Sequence, residues 1–132
     1  MATRYVIRHS RKKEPVIWII DSEQWPRACL RAELIERGFD ARGFVQLKDA
    51  LDAFGNGQES RPDAVIVDLR DQRLTPEMVD MLRRLEMPII LLGGAAELNQ
   101  PLIENHQWTT ILKRPVSLGQ IAELVQRVLQ RR

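Results

Sequence analysis

The chain has 132 residues, a length that suits one domain rather than two. With 44% hydrophobic and 29% charged residues, its composition excludes collagen, a continuous coiled coil and intrinsic disorder as descriptions of the whole chain. The net charge is +2, but residues 1–13 carry five bases and no acid, which leaves residues 14–132 at −3. The basic character therefore belongs to the start of the chain, and the rest is mildly acidic.

This charge split predicts a basic, disordered leader over residues 1–14 and a folded domain over residues 15–132. Nucleic acid is not an expected partner, because no second basic patch or recognition-helix motif accompanies the leader. Cys29 is the one cysteine, so no internal disulfide is expected. The apolar run Val16–Ile20 is too short for a signal peptide or a membrane span, so we expect a cytoplasmic protein without membrane contact.

After the leader, apolar β-branched runs alternate with amphipathic segments of helical period. The predicted strands cover residues 16–20, 39–45, 63–68, 88–92 and 108–112, and a short fourth helix is predicted over 96–104. Strands that alternate with helices indicate a parallel sheet covered on both faces. Five such units predict a flavodoxin-like, doubly wound α/β fold, a (βα)5 three-layer sandwich with strand order 2-1-3-4-5.

Charged residues follow three of these strands. Asp21 ends the first strand and Asp68 the third, and these two strands are neighbours in the predicted order. Because doubly wound sheets place their sites at the carboxyl ends of such strands, we expect the two carboxylates to meet there. Arg114 follows the fifth strand and precedes Pro115, which favours an extended backbone at Arg114. The sequence thus predicts two acids and one base at the same edge.

In the segments 16–23, 63–70, 88–94 and 112–118, the chain resembles the receiver domain of two-component response regulators. The resemblance covers roughly residues 15–131 and rests on the order and spacing of these segments. It implies that Asp68 stands at the phospho-acceptor position, where a carboxylate attacks a phosphoryl donor. It also implies a Mg²⁺ site formed by Asp21, Asp68 and the backbone carbonyl of Arg70. Ser22 replaces the second acid of the family pattern, so we expect Mg²⁺ to bind weakly, and no other cofactor is expected.

Other positions depart from the family pattern. Arg114 stands where the family has a lysine, and a planar guanidinium differs from a point charge. Lys113 is one residue away, and a one-residue slip of the chain could bring Lys113 to the position of the family lysine; this alternative stays open. Gly93 replaces the Ser or Thr whose hydroxyl follows the phosphoryl group, and Ile111 replaces an aromatic switch residue, whereas Pro115 is retained.

These departures predict an atypical receiver domain with a weakened phosphorylation switch. We expect it to be no enzyme and to act by protein–protein interaction in two-component signalling, with a histidine kinase or a downstream effector as partner. A homodimer is an open alternative. The second hypothesis is a functional Mg²⁺-dependent phosphoryl acceptor at Asp68, and the third is a flavodoxin-like small-ligand binder.

Three tryptophans are a further signal, since these large side chains usually pack in a core. We expect core packing for Trp18, Trp25 and Trp108. Trp25 follows the acidic corner closely, so a lid over the site is its alternative role.

Overall fold

The computed structural model describes residues 13–130, in which strands and helices alternate. The strands are β1 (Val16–Ile20), β2 (Asp40–Phe44), β3 (Ala64–Asp68), β4 (Ile89–Gly93) and β5 (Thr110–Lys113). The helices are α1 (Gln24–Glu36), α2 (Leu47–Gly55), α3 (Pro76–Arg84), α4 (Ala95–Leu98), α5 (Pro101–Glu104) and α6 (Leu118–Gln130). The predicted succession of βα units is confirmed.

All four strand pairs of the sheet are parallel, in the order β2-β1-β3-β4-β5. This order confirms the predicted doubly wound topology, in which β1 and β3 are adjacent. The last strand begins at Thr110, not at Trp108 as predicted. The indole N–H of Trp108 donates a hydrogen bond to the carbonyl of Ile103 at 2.9 Å, which ties this residue to α5.

The two faces of the sheet carry separate apolar cores, because successive side chains of a strand point to opposite faces. Ile17 and Ile19 of β1 pack in one core with side chains of α1 and α6. Trp18 and Ile20 pack in the other core with α2, α3 and α5. The predicted three-layer arrangement is therefore confirmed, and both cores leave the carboxyl edge of the sheet free for polar residues.

The segment predicted as one helix over 96–104 is two short helices, α4 and α5. Pro101 is the physical reason, since a residue before proline is pushed out of the helical region. Gln100 has an extended ψ of 144°, which ends one helix and caps the next.

The tryptophans divide into buried and exposed. Trp18 is fully buried, as predicted, whereas core packing of Trp25 was wrong because 78% of this residue is exposed. Leu30 and Leu34 are the buried residues of α1. At 100° per residue, Trp25 lies roughly 140° and 180° away from them around the helix axis, on the solvent side.

The predicted leader lies outside the described residues, apart from Lys13 and Glu14, which are exposed. Between residues 13 and 130, no helix is long and apolar enough to cross a membrane.

Candidate functional site

Asp21 and Asp68 lie side by side at the carboxyl edge of the sheet. Asp68 is the last residue of β3, and Asp21 directly follows β1, whose Ile20 is paired with Val67. Each aspartate is only 5% exposed, and they are the only buried charged residues of the described chain. Two buried carboxylates at the predicted position require compensating charges or hydrogen bonds.

Arg114 provides one compensating charge. Its backbone N–H donates to the carbonyl of Gly93 at 3.0 Å, which fixes the chain directly after β5. From there the Arg114 Nη1 donates to Asp68 Oδ1 and the Nη2 donates to Glu97 Oε1. Lys113 is exposed at the end of β5. The structure thus brings Arg114, not Lys113, into the pocket, and the alternative register slip was wrong.

Arg70 provides the second compensating charge. Its Nη2 lies 3.3 Å from Asp68 Oδ2 and 3.5 Å from Asp21 Oδ1. Its Nε lies 3.0 Å from Glu23 Oε1 but makes no hydrogen bond, so this contact is one of charge alone. The backbone N–H of Arg70 donates to Asp68 Oδ1 at 3.0 Å. A single residue thus places its positive charge beside both aspartates and also donates a main-chain hydrogen bond to one of them.

The predicted Mg²⁺ ligands are all engaged within the protein. Ser22 Oγ donates to the Arg70 carbonyl at 2.9 Å, and the Glu23 N–H donates to Asp21 Oδ1 at 2.9 Å. Both oxygens of Asp68 accept from arginine N–H groups. No group of three His, Cys, Asp or Glu residues within 13–130 could hold a metal ion. The residues as arranged do not fit Mg²⁺, because a guanidinium already lies between the two carboxylates.

Burial and neighbouring charges shift two pKa values in the pocket. The pKa of Asp21 is raised, first because burial disfavours its charged form and further because Asp68 is also negative. The Glu23 N–H and Arg70 oppose this shift without cancelling it. For Arg114, burial lowers the pKa, but the hydrogen bonds and charges of Asp68 and Glu97 outweigh burial and raise it overall. Arg114 is therefore a permanent cation of the site.

The structure shows the surroundings of Gly93 and Ile111, which depart from the family pattern, and of Pro115, which is retained. Gly93 is buried, and a Cβ there would lie 3.3 Å from side-chain carbons of Leu69 and Leu98. A hydroxyl-bearing side chain would need these leucines to move. Ile111 is 47% exposed on β5. The Arg114–Pro115 peptide bond is cis.

Sequence analysis missed three contributions to the pocket: the Arg70 guanidinium, Glu23 and Glu97. Glu97 is the third residue of α4, where its carboxylate also accepts from the Gly94 N–H at 2.8 Å. An acid at this position of a helix after a glycine is a visible capping signal. Nothing in the sequence shows that the same acid also binds Arg114.

A cavity of about 300 Å³ opens at this site. The charged side chains of the inner pocket line one part of it, and apolar side chains of α1, β4 and α6 line the rest. The lining residues are Asp21, Pro26, Leu30, Asp68, Arg70, Leu92, Arg114, Pro115, Val116, Leu118 and Ile121. The arrangement can neutralise buried carboxylates and offers a small, largely apolar space beside them.

Comparison with known proteins gives a fold match and no sequence match. No protein-family model matches the chain, and no curated protein matches it. The receiver domain of the Francisella response regulator 1452 is 18% identical, with a TM-score of 0.73 over 89% of this chain and 98% of that one. A response regulator receiver domain protein from Clostridium thermocellum is 21% identical, with a TM-score of 0.72 over 89% and 95%.

The same fold also occurs inside a longer protein. NtrX from Brucella abortus is 17% identical, with a TM-score of 0.70, and the match covers 89% of this chain but 27% of NtrX. Together with the strand order and the acidic edge, these similarities show that the chain has the flavodoxin-like fold of response regulator receiver domains.

Proposed function

We propose that this chain is an atypical receiver domain of two-component signalling that works by binding a protein partner. The single observation that carries the proposal is the neutralised pocket: a receiver fold in which two arginines compensate the buried aspartates. On this proposal the domain is not an enzyme, acts in the cytoplasm and does not depend on Mg²⁺-driven phosphorylation for its signalling state.

The hydrogen bonds that Asp68 accepts support a function that does not depend on phosphoryl transfer. Phosphoryl acceptance requires a carboxylate oxygen that is free to attack and a cation that shields the phosphoryl oxygens. Asp68 Oδ1 accepts from the Arg70 N–H and from Arg114, and Oδ2 accepts from the Arg70 guanidinium at 3.3 Å. An attacking oxygen would first lose charge-assisted hydrogen bonds, which are the strong ones in proteins.

The partner is proposed by class: a histidine kinase or a downstream effector. Receiver-domain neighbours support a signalling partner, and NtrX shows the fold as part of a longer chain. An Asp68→Asn variant keeps a side chain of the same shape and removes the nucleophile. We therefore expect the variant to bind a partner of this class with unchanged affinity.

Two measurements test the proposal. The first incubates the purified chain with a small phosphodonor and Mg²⁺ and follows the intact mass, with Asp68→Asn as the matched control. We expect no gain of a phosphoryl group in either protein. The second measures the affinity of an identified kinase or effector for both proteins. Stoichiometric labelling at Asp68, or loss of the partner in Asp68→Asn, would overturn the proposal.

One observation favours the alternative of a Mg²⁺-dependent acceptor at Asp68. When Glu23 and Glu97 are included, four carboxylates surround two guanidiniums, so the wider pocket remains negative. Labelling that depends on Mg²⁺ and disappears in Asp68→Asn would establish this function instead.

The cavity of about 300 Å³ keeps a small-ligand function as the weaker alternative. A bound nucleotide or flavin would raise the melting temperature, by an amount that grows with the logarithm of the ligand concentration divided by its Kd. A shift with either compound would favour that function over the receiver proposal.

A further inference from the structure

We propose that the Arg70 guanidinium is the resident counter-ion of the Asp21–Asp68 pair and excludes divalent cations from the pocket. On this proposal Arg70, rather than the absence of an acid at Ser22, is the main barrier to metal binding. The inference rests on the proposed function, because it explains how an atypical receiver domain would hold one charge state without a metal.

The position of the guanidinium is the first argument. One nitrogen, Arg70 Nη2, lies within 3.5 Å of an oxygen of each aspartate. A cation shared by Asp21 and Asp68 must approach the same two carboxylates, and Mg²⁺ binds oxygen at about 2.0–2.1 Å. It would therefore compete with a group of like charge at close range, where repulsion is strong in a partly buried site.

Charge balance is the second argument. The inner pocket holds the carboxylates of Asp21 and Asp68 and the guanidiniums of Arg70 and Arg114, so it is neutral without an added ion. Each aspartate is 5% exposed, and buried charges of this kind need such compensation. A divalent cation would have to share these two carboxylates with the two guanidiniums that already contact them.

The anchoring of Arg70 is the third argument. Its carbonyl accepts from Ser22 Oγ at 2.9 Å, and its N–H donates to Asp68 Oδ1 at 3.0 Å. Ser22 thus binds the carbonyl oxygen that the family resemblance gives as the third metal ligand. The serine and the arginine form one arrangement in which a main-chain hydrogen bond and a side-chain cation replace metal coordination.

The loop that carries Arg70 is fastened to the β2–α2 loop by two glutamines. Gln72 Nε2 donates to the Val45 carbonyl at 2.8 Å, and Gln72 Oε1 accepts from the Leu47 N–H at 3.0 Å. Gln46 Nε2 donates to the Asp71 carbonyl at 2.9 Å, and Gln46 Oε1 accepts from the Arg73 N–H at 3.0 Å. These hydrogen bonds hold the residues that follow Arg70, so the backbone that carries the guanidinium is fixed.

The test measures the affinity of Mn²⁺ by electron spin resonance and of Mg²⁺ by calorimetry. Arg70→Gln removes the guanidinium, and Arg73→Gln is the matched control because it makes the same charge change at an exposed position of the same loop. We expect Arg70→Gln to bind either ion at least about tenfold more tightly than the unmodified chain, and Arg73→Gln to match the unmodified chain. Equal affinity in the two variants would overturn the proposal.

A second pair of variants separates Arg70 from Ser22. Ser22→Asp restores an acid but leaves the guanidinium, so we expect a smaller gain than in Arg70→Gln, and the largest gain in the double variant. If Ser22→Asp alone gains as much as Arg70→Gln, the missing acid is the main barrier and the proposal is wrong. Arg70→Lys keeps a cation, and we expect its affinity to stay near that of the unmodified chain.

A measurement on the unmodified chain covers the case in which Arg70→Gln does not fold. The Arg70 Nε–H signal is followed by nuclear magnetic resonance during a Mg²⁺ titration. We expect no shift at Mg²⁺ concentrations that saturate ordinary protein sites, whereas a saturating shift would show displacement and overturn the proposal. None of these results depends on partner binding or on phosphoryl labelling, so this inference and the proposed function can fail separately.

Discussion

Arg114 and Arg70 enter the same pocket but are held in different ways. Arg114, at the β4–β5 side, donates one nitrogen each to Asp68 and Glu97, so both ends of its fork make hydrogen bonds. Arg70, at the β1–β3 side, has longer contacts of 3.3 and 3.5 Å to the two aspartates, and its Nε makes no hydrogen bond. The two arginine side chains are almost equally exposed, at 27% for Arg114 and 28% for Arg70, so their geometry rather than their burial distinguishes them.

This difference indicates distinct roles for the two arginines. A guanidinium with paired hydrogen bonds to two carboxylates holds its neighbours in a fixed geometry, in the way that bidentate pairs do. A guanidinium shared between two carboxylates at longer distances acts mainly through its charge. We therefore regard Arg114 as the structural cation that joins α4 to the sheet, and Arg70 as the counter-ion that sets the charge of the pocket.

Among the pocket residues, the largest effect on stability is expected for Arg114. Arg114→Ala leaves Asp68 and Glu97 without their shared fork, so we expect a loss of about 2 kcal/mol in the free energy of unfolding. Arg70→Ala removes longer contacts and should cost about 1 kcal/mol. Urea unfolding followed by tryptophan fluorescence measures both. Lys113→Ala is the control and should stay within about 0.5 kcal/mol of the unmodified chain. Equal losses for the two arginines would contradict the distinction.

Asp21→Asn is expected to have a smaller effect on the free energy of unfolding, and in the stabilising direction. The raised pKa of Asp21 means that the folded state favours the protonated carboxyl, so its contribution to stability is full below the unfolded pKa. That contribution is lost as the pH rises through the higher folded pKa. At neutral pH the asparagine variant should therefore be the more stable of the two proteins.

The pH dependence tests the cause of this gain. Well below pH 3.8, the ordinary pKa of an aspartate, both proteins carry an uncharged side chain at this position, so the part of the stability difference that is due to charge should vanish. Unfolding free energies at neutral and acidic pH give the comparison. If the asparagine variant is instead less stable at neutral pH, the favourable contact between Asp21 and Arg70 outweighs the cost of burying the Asp21 carboxylate. That result would contradict the raised pKa of Asp21.

The smallest effect is expected at Ile111, outside the pocket on β5. Because it is 47% exposed, Ile111→Ala should change stability by less than about 0.5 kcal/mol. Ile90→Ala on the neighbouring β4 is the contrast, since this residue is fully buried and its truncation should cost about 3 kcal/mol. Thermal unfolding of both variants checks this. A large loss at Ile111 would mean that β5 contributes more to the core than its exposure indicates.

The sequence by itself determined the fold class, the strand order and the edge at which the aspartates meet. It could do so because apolar runs and amphipathic periods repeat along the chain, and because parallel strands bring their carboxyl ends to one side. It also placed a cation after β5. The errors fell where local pattern was ambiguous: Trp25 lies on the solvent side of α1, and Pro101 divides a predicted helix into two.

Only the tertiary structure decided which groups compensate the aspartates. Arg114 reaches Asp68 while Lys113 is exposed, because the register of β5 against β4 fixes which side chain turns inward. Arg70 was expected to contribute only a carbonyl, yet its guanidinium lies between the aspartates. The pattern of residues along the chain does not reveal such contacts, because they depend on side-chain rotamers and on loops that are held by residues distant in the sequence. The sequence placed the acids, and three-dimensional packing placed the cation that neutralises them.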